Sequence, residues 1–179
     1  MSEVSFTRDI VCGRDRIREL LLDHEFLTQF VKLQDPVDSD ISVNVDESTS
    51  SMSWVVLTEG MPGIVRRFVG DTIPIRLVIT SQGITPDQDG SVSLDLEGKI
   101  KGRLQTSLSL QTVDQHLADA AVAACAHTAM AVCGTFDINA GLLSGKASGM
   151  ARDHLIVPLL VELADLLQEW CDGCGCDHS

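Results

Sequence analysis

Between residues 144 and 170 the apolar positions recur with the spacing of one helix face. Ile156, Leu159, Leu160, Leu163, Leu166, Leu167 and Trp170 follow the i, i+3, i+4, i+7 rule. Asp153, Glu162, Asp165, Gln168 and Glu169 take the opposite side, while Leu155, Val157 and Val161 widen the stripe. A stripe that broad needs a broad surface to lie on. Most of the chain before it alternates apolar and polar residues with the period of a β-strand.

The alternation begins at once. Val4, Phe6 and Ile10 alternate with Ser5, Thr7 and Asp9, with Arg8 as the exception on the apolar parity. From Arg14 the period becomes helical. Ile17, Leu20, Leu21, Leu27, Phe30 and Val31 share a side, Asp23-His24-Glu25 interrupts the run, and Asp35-Pro36 stops it. Strands follow. Ile41, Val43 and Val45 lead through a polar turn into residues 52–59, which reads as a hairpin. Gly60-Met61-Pro62-Gly63 breaks the sheet, and residues 64–68 fit one helical turn. Ile73, Ile75, Leu77 and Ile79 make the clearest strand, with Pro74 expected near its start or on an edge because it has no N–H. After a loop over residues 83–90, two more strands run through Val92, Leu94 and Leu96 and through Leu104, Thr106, Leu108 and Leu110. The Ala-rich residues 115–125 are read as a loop or short helix.

The last strand covers about residues 127–139. Met130, Val132, Phe136 and Ile138 form its inward parity, and a bulge near Gly134 would swap that parity. Pro158 lies inside the final helical pattern, where it removes one hydrogen bond and clashes with the carbonyl of residue 154, costing about 3 kcal/mol or more. A kink around residues 154–158 is expected if the helix starts near Ser144. If it starts near Ile156, Pro158 sits in the first turn.

One strand, a helix, several alternating strands and a long final helix make an α+β fold. The expectation is a curved antiparallel sheet of about six to seven strands wrapped around the long C-terminal helix, with a shorter helix after the first strand. One domain is expected over residues 1–170, followed by a Cys-rich tail over residues 171–179.

Composition adjusts this picture in three ways. Aromatic residues are only 4% of the chain and there is no Tyr, so the core is built from aliphatic side chains. The net charge of −13 argues against nucleic acid and against an anionic membrane surface as partners. The first residues form no signal peptide and no stretch has the length of a membrane span, so a cytoplasmic location is expected, with the six cysteines mostly reduced.

The chain resembles the START-related helix-grip proteins, and among them an uncharacterised bacterial family of polyketide cyclase-like proteins. The resemblance rests on the strand at residues 4–11 followed by Ile17-Arg18-Glu19-Leu20-Leu21-Leu22-Asp23. It rests also on the segment 62–70 before a strand, and on Gly134-Thr135-Phe136-Asp137-Ile138 running through Gly145-Lys146 into a helix ending at Trp170. It implies a small hydrophobic molecule held between sheet and helix, and carries over no catalytic residue.

Trp54, Ile75, Leu77, Leu108, Met130, Phe136, Leu159 and Leu163 are the candidates for the wall of that cavity, and they serve equally well in a solid core. Residues 61–69 are either a lid or a packed connector. In the tail, Cys171, Cys174, Cys176 and His178 put three thiols and an imidazole within eight residues. Such a set suits zinc or copper(I), although the spacing is not that of a finger, and the other reading is an unliganded appendage; no further cofactor is expected. Cys125 and Cys133 share an outward parity with Ala129 and Ala131, a face of small residues that would suit a homodimer contact. The inward strand positions are apolar apart from Thr106, which favours a binding protein over a cyclase- or hydratase-type enzyme. A regulatory partner protein with a closed core is the third reading.

Overall fold

The computed structural model describes residues 1–37, 41–82, 88–113 and 126–173. The insert at 115–125, most of the loop at 83–90 and the tail beyond 173 lie outside the described residues. Seven strands form one sheet: β1 (Ser2–Ile10), β2 (Ser42–Val45), β3 (Thr49–Leu57), β4 (Thr72–Thr80), β5 (Gly90–Glu97), β6 (Lys101–Thr112) and β7 (Thr128–Ile138). Their order is β1-β7-β6-β5-β4-β3-β2, and every neighbouring pair is antiparallel. The sheet is a meander from β2 to β7, with the first strand returning beside the last.

Between β1 and β2 lie α1 (Arg14–Leu20) and α2 (His24–Leu33), separated at the expected interruption. Asp23 is the reason for the break: its carboxylate accepts the Phe26 N–H at 2.8 Å and starts the second helix. Ser50 on β3 donates to the Leu21 carbonyl at 2.9 Å, which fixes this corner to the sheet. The expected helical turn is α3 (Gly63–Val69), with Val65 and Val69 buried and both arginines exposed. Pro74 is the third residue of β4, and the ladder to β5 starts one residue later at Ile75. A central strand thus tolerates a proline where that ladder has not begun.

The long C-terminal helix consists of α4 (Ser144–Ala151), one turn of π-helix (Arg152–Ile156) and α5 (Val157–Gly173). The π turn lies directly before Pro158. Widening the turn takes up the contact that Pro158 would make with the carbonyl of residue 154 in an α-helix. The proline is therefore accommodated inside one continuous helical run.

No parity swap occurs at Gly134. Thr128, Met130, Val132, Phe136 and Ile138 are all buried, and the register with β1 and β6 runs through Gly134 without a slip. Close approach of β6 explains the glycine: a Cβ there would overlap the Gln105 carbonyl and lie 2.6 Å from Thr106 Cα.

The helix buries Ile156, Leu159, Leu160, Leu163, Ala164, Leu166 and Leu167 against the inward faces of the strands. Its seam with β1 is also polar. Arg8, the odd residue on the apolar parity, pairs with Asp165. The Val11 N–H donates to Gln168 Oε1 at 2.8 Å. Cys12 forms a disulfide with Cys171, their Cα atoms 5.7 Å apart. Residues 165, 168 and 171 are spaced by about one turn, so the end of β1 is tied to three successive turns of α5. The reduced state expected of the cysteines does not hold for this pair, because the helix runs past Trp170 and brings Cys171 to the strand end. Cys133 is free and exposed.

Two outcomes test this packing. Leu163 is buried, so Leu163→Asp places an unpaired charge in the core and is expected to abolish soluble folded protein. Glu162→Ala on the exposed side should stay within about 1 kcal/mol of wild type; a cooperative melt of Leu163→Asp near the parent temperature would contradict the docking. Cys12→Ser, which opens a link between residues 159 apart in sequence, should keep the fold and lose about 2–4 kcal/mol in urea unfolding of the oxidised protein.

Candidate functional site

The space between sheet and helix is lined by the alternation of the strands. On β3, Met52, Trp54 and Val56 point inward; on β4, Ile73, Ile75, Leu77 and Ile79 do so. Strand β5 adds Val92, Leu94 and Leu96, and β6 adds Leu104, Leu108 and Leu110. All eight wall candidates are buried and belong to one cluster. Trp54 faces Ile75 across the β3–β4 ladder, and Leu104 faces Phe136 across β6–β7. The candidates fall into two groups: Trp54, Ile75 and Leu77 on one half of the sheet, and Leu108, Met130 and Phe136 on the other. Strand β5 stands between them, and Leu159 and Leu163 come from the helix.

The wall side chains are closed over one another, none more than 3% exposed. The open hollows among the described residues lie on the surface, three on the other face of the sheet and one between α2 and α5. One, of about 690 Å³, is lined chiefly by Asp95, Glu97, Lys101, Arg103, Asp137 and Asn139. Another, of about 390 Å³, includes Ser42, Asn44, Ser51, Ser53, Arg76 and Glu97. Both are open to solvent, and polar side chains supply most of their lining residues.

Hydroxyl groups inside the fold are already committed. Thr106, the inward exception on β6, donates to the Val92 carbonyl at 2.7 Å. Thr128 donates to Cys12, Thr58 to Gly70, and Ser148 accepts the Ile138 N–H. Thr128, Thr58 and Ser148 each close a backbone gap near the end of a strand, and Thr106 bonds across the β5–β6 ladder.

Trp54 differs. Its indole N–H is buried and has no acceptor among the described residues. The ring stands on the inward face of β3 and packs edge-on against Phe30 of α2, with ring centres 6.3 Å apart. Trp170, by contrast, donates to Gln29 Oε1 at 3.0 Å and lies edge-on to Phe26.

At the rim, Asp89 is the buried carboxylate among the described residues, its side chain 6% exposed. It accepts the Leu110 N–H at 2.6 Å and pairs with both Arg14 and Arg18 of α1. Burial alone would raise its pKa. The Leu110 N–H and the two guanidinium groups outweigh that and hold the carboxyl below its ordinary value. An Asp so paired stays ionised, so it is a latch between α1 and the β5–β6 pair and a poor general base. Arg14 and Arg18 lie one turn apart, and that i, i+4 spacing beside an Asp at a strand start is the signal that could have located the latch.

Of the tail residues, Cys171 is described and its sulfur is bonded to Cys12. In that state it offers no thiolate to a metal. Cys174, Cys176 and His178 lie outside the described residues. Among the described residues there is no cluster of three metal-binding side chains. His24 and His154 are exposed and His127 is half-buried, each on a different element. No described helix is long and apolar enough to cross a membrane.

No family model matches the chain, and no curated protein matches it. Solved structures do. A conserved protein from Geobacillus kaustophilus superposes with a TM-score of 0.57 at 9% identity, over 94% of this chain and 96% of that one. A protein from Mycobacterium smegmatis gives 0.54 at 10% identity, over 99% and 93%. A protein from Thermus thermophilus gives 0.51 at 16% identity, over 97% and 99%. Likeness at these identities is likeness of fold, over the whole length of each chain, and the fold is a helix grip.

The latch gives a pH test. A carboxyl depressed in the folded state stabilises above its unfolded value near 3.8 and loses that contribution as pH falls through the lower folded value. Wild type should therefore lose more stability than Asp89→Asn between about pH 5 and 2. At pH 7 the substitution should cost about 1–3 kcal/mol, since the arginines are partly solvated. Parallel stability–pH curves for the two proteins would show that Asp89 is not a latch.

Proposed function

We propose that this chain binds a small hydrophobic molecule between its sheet and its C-terminal helix, as a carrier or sensor of the polyketide cyclase-like kind. The observation that supports the reading is the chemistry of the inward face. Seven strands and a long helix present aliphatic and aromatic side chains to one interior, and no ionisable group among the described residues reaches into it. An interior of that kind rewards chiefly apolar surface, at roughly 25 cal/mol for each Å² taken from water. It gives a cyclase or hydratase no acid or base to work with.

Because the wall side chains close over one another, a ligand enters by parting the seam. The segment proposed to move is α3, which packs on α4 and has Gly60, Pro62, Gly63 and Gly70 at its ends. Gly70 has φ +91°, a conformation that other residues adopt at a cost. Movement of α3 away from α4 would open the interior beside the π turn, where the helix is already irregular.

The test compares wild type with Leu108→Trp for heat stability and for uptake of an uncharged fluorescent naphthyl ketone with an acyl chain. In a core that must stay filled, such overpacking costs about 1–3 kcal/mol. In an interior that opens for a ligand, the variant should remain within about 1 kcal/mol of wild type and lose the probe. A strongly destabilised variant, with a wild type that takes up no probe, would leave the closed-core partner protein as the better reading.

A further inference from the structure

We infer that the ligand is an uncharged hydrophobic molecule with a carbonyl oxygen, and that the Trp54 indole N–H is its anchor. The inference rests on the binding reading above and adds the ligand's chemical class. It starts from an imbalance of donors and acceptors. Trp54 is 1% exposed, its Nε1 is enclosed, and no atom of the described residues accepts its hydrogen. Buried polar groups are normally paired, and an unpaired one needs a reason. Packing is a weak reason here. A Phe would keep the edge-on contact with Phe30 and the ladder contact with Ile75 without leaving a donor unmet.

The missing partner is defined by what surrounds the ring. Indole N–H is donor-only, so its complement is an acceptor. A carboxylate is excluded by charge. The buried polar residues among those described are Ser2, Ser50, Thr58, Asp89, Thr106, Thr128 and Ser148, with no Lys, Arg or His among them. An anionic head at Trp54 would be buried without a counter-charge, which is far more costly than burying a neutral acceptor. A hydroxyl is the poorer match for the opposite reason. It would bring its own O–H, and the carbonyls of the β3–β4 ladder around Trp54 are already engaged. A ketone or ester carbonyl supplies the acceptor and nothing that needs a second partner. The other buried nitrogen without an acceptor, Arg18 Nε, belongs to a side chain at the solvated rim whose terminal nitrogen is on Asp89, and it does not face this interior.

The test uses the full-length oxidised protein and three matched probes: a long-chain alkyl aryl ketone, the alkylarene with CH2 in place of C=O, and the corresponding aryl-alkanoate. Affinities are measured for wild type and for Trp54→Phe. In wild type the alkanoate should bind at least tenfold more weakly than the ketone. The ketone-to-alkylarene affinity ratio should fall about five- to tenfold in Trp54→Phe, while alkylarene binding itself changes little, as expected for one hydrogen bond. A readout that needs no variant comes from the two tryptophans. On adding ketone to wild type, the Trp54 indole proton should move downfield in an ¹H–¹⁵N spectrum. The Trp170 signal, already bonded to Gln29, should stay in place. The alkylarene should move neither in that direction.

Binding of ketone and alkylarene with the same ratio in both proteins, or ketone binding with no downfield shift at Trp54, would overturn the anchor while leaving the binding reading intact. A Trp54 indole proton already downfield in ligand-free protein and unmoved by ketone would assign the bond to water, and overturns it likewise. Tighter binding of the alkanoate overturns the uncharged class. If none of the three probes binds wild type, the binding reading and the anchor fall together.

Discussion

Everything in this fold hangs on the seam between the first strand and the last helix. Strand β1 lies at an edge of the sheet, with a neighbouring strand on one side alone. It is held on one side by β7, across the full register from Ser2 to Ile10, and on the other by α5. Three consecutive turns of α5 are tied to its end: an ion pair at Asp165, a backbone hydrogen bond at Gln168 and a covalent bond at Cys171. The apolar stripe supplies the energy of docking and is non-directional. The three ties decide where along the helix the strand end must sit. With that register fixed, the same helix face meets the same inward rows of β3 to β7, and the interior has one composition.

Much of this was legible from the chain. Period 2 gave the strands and period 3.6 the helices, and Asp23 could be seen to divide the early helix because a side-chain cap ends one run and starts the next. The eight wall candidates came from parity alone and are all buried. What the pattern could not carry were relations between distant residues. Arg8 looked like an error on an apolar face until Asp165 was beside it. Cys12 and Cys171 are nearly the whole chain apart, and nothing local pairs them. Asp89 is an ordinary loop carboxylate until Arg14 and Arg18 are brought over it. The pattern could not tell whether a bulge swaps the parity at Gly134, for a similar reason. A glycine in a strand signals either an extra residue or a close backbone approach, and only the position of β6 distinguishes them.

The seam also changes what the tail can do. Read as sequence, Cys171, Cys174, Cys176 and His178 are equivalent donors to a soft metal. In the fold Cys171 is part of α5 and its sulfur is spent on Cys12. Metal binding by all four is therefore linked to reduction of that bond, because thiolate ligation requires the free sulfur. It would take away the covalent tie that fixes the end of β1. The redox state of the seam likewise bears on where the protein resides, since a disulfide of this kind persists where the surroundings are oxidising.

The interior, finally, poses a question of matching rather than of size. Thr58, Thr128 and Ser148 answer backbone groups left over where strands end, and Thr106 answers a carbonyl within the ladder, so these hydroxyl groups form a set closed within the fold. Trp54 is outside that closure. Its ring is as well packed as any in the core, and yet its one polar atom is unmet. Apolar side chains can spread and repack around a guest at small cost, because the dispersion attraction given up at one neighbour is recovered at another. A donor cannot be compensated in that way; only an acceptor brought to it restores what burial removed. A hydrophobic molecule without an acceptor would leave the imbalance as it is, while one with a carbonyl would remove it. In the proposed binding mode, the difference between two such molecules would be set at a single atom of β3, even though nearly all of their shared affinity would come from the surrounding wall.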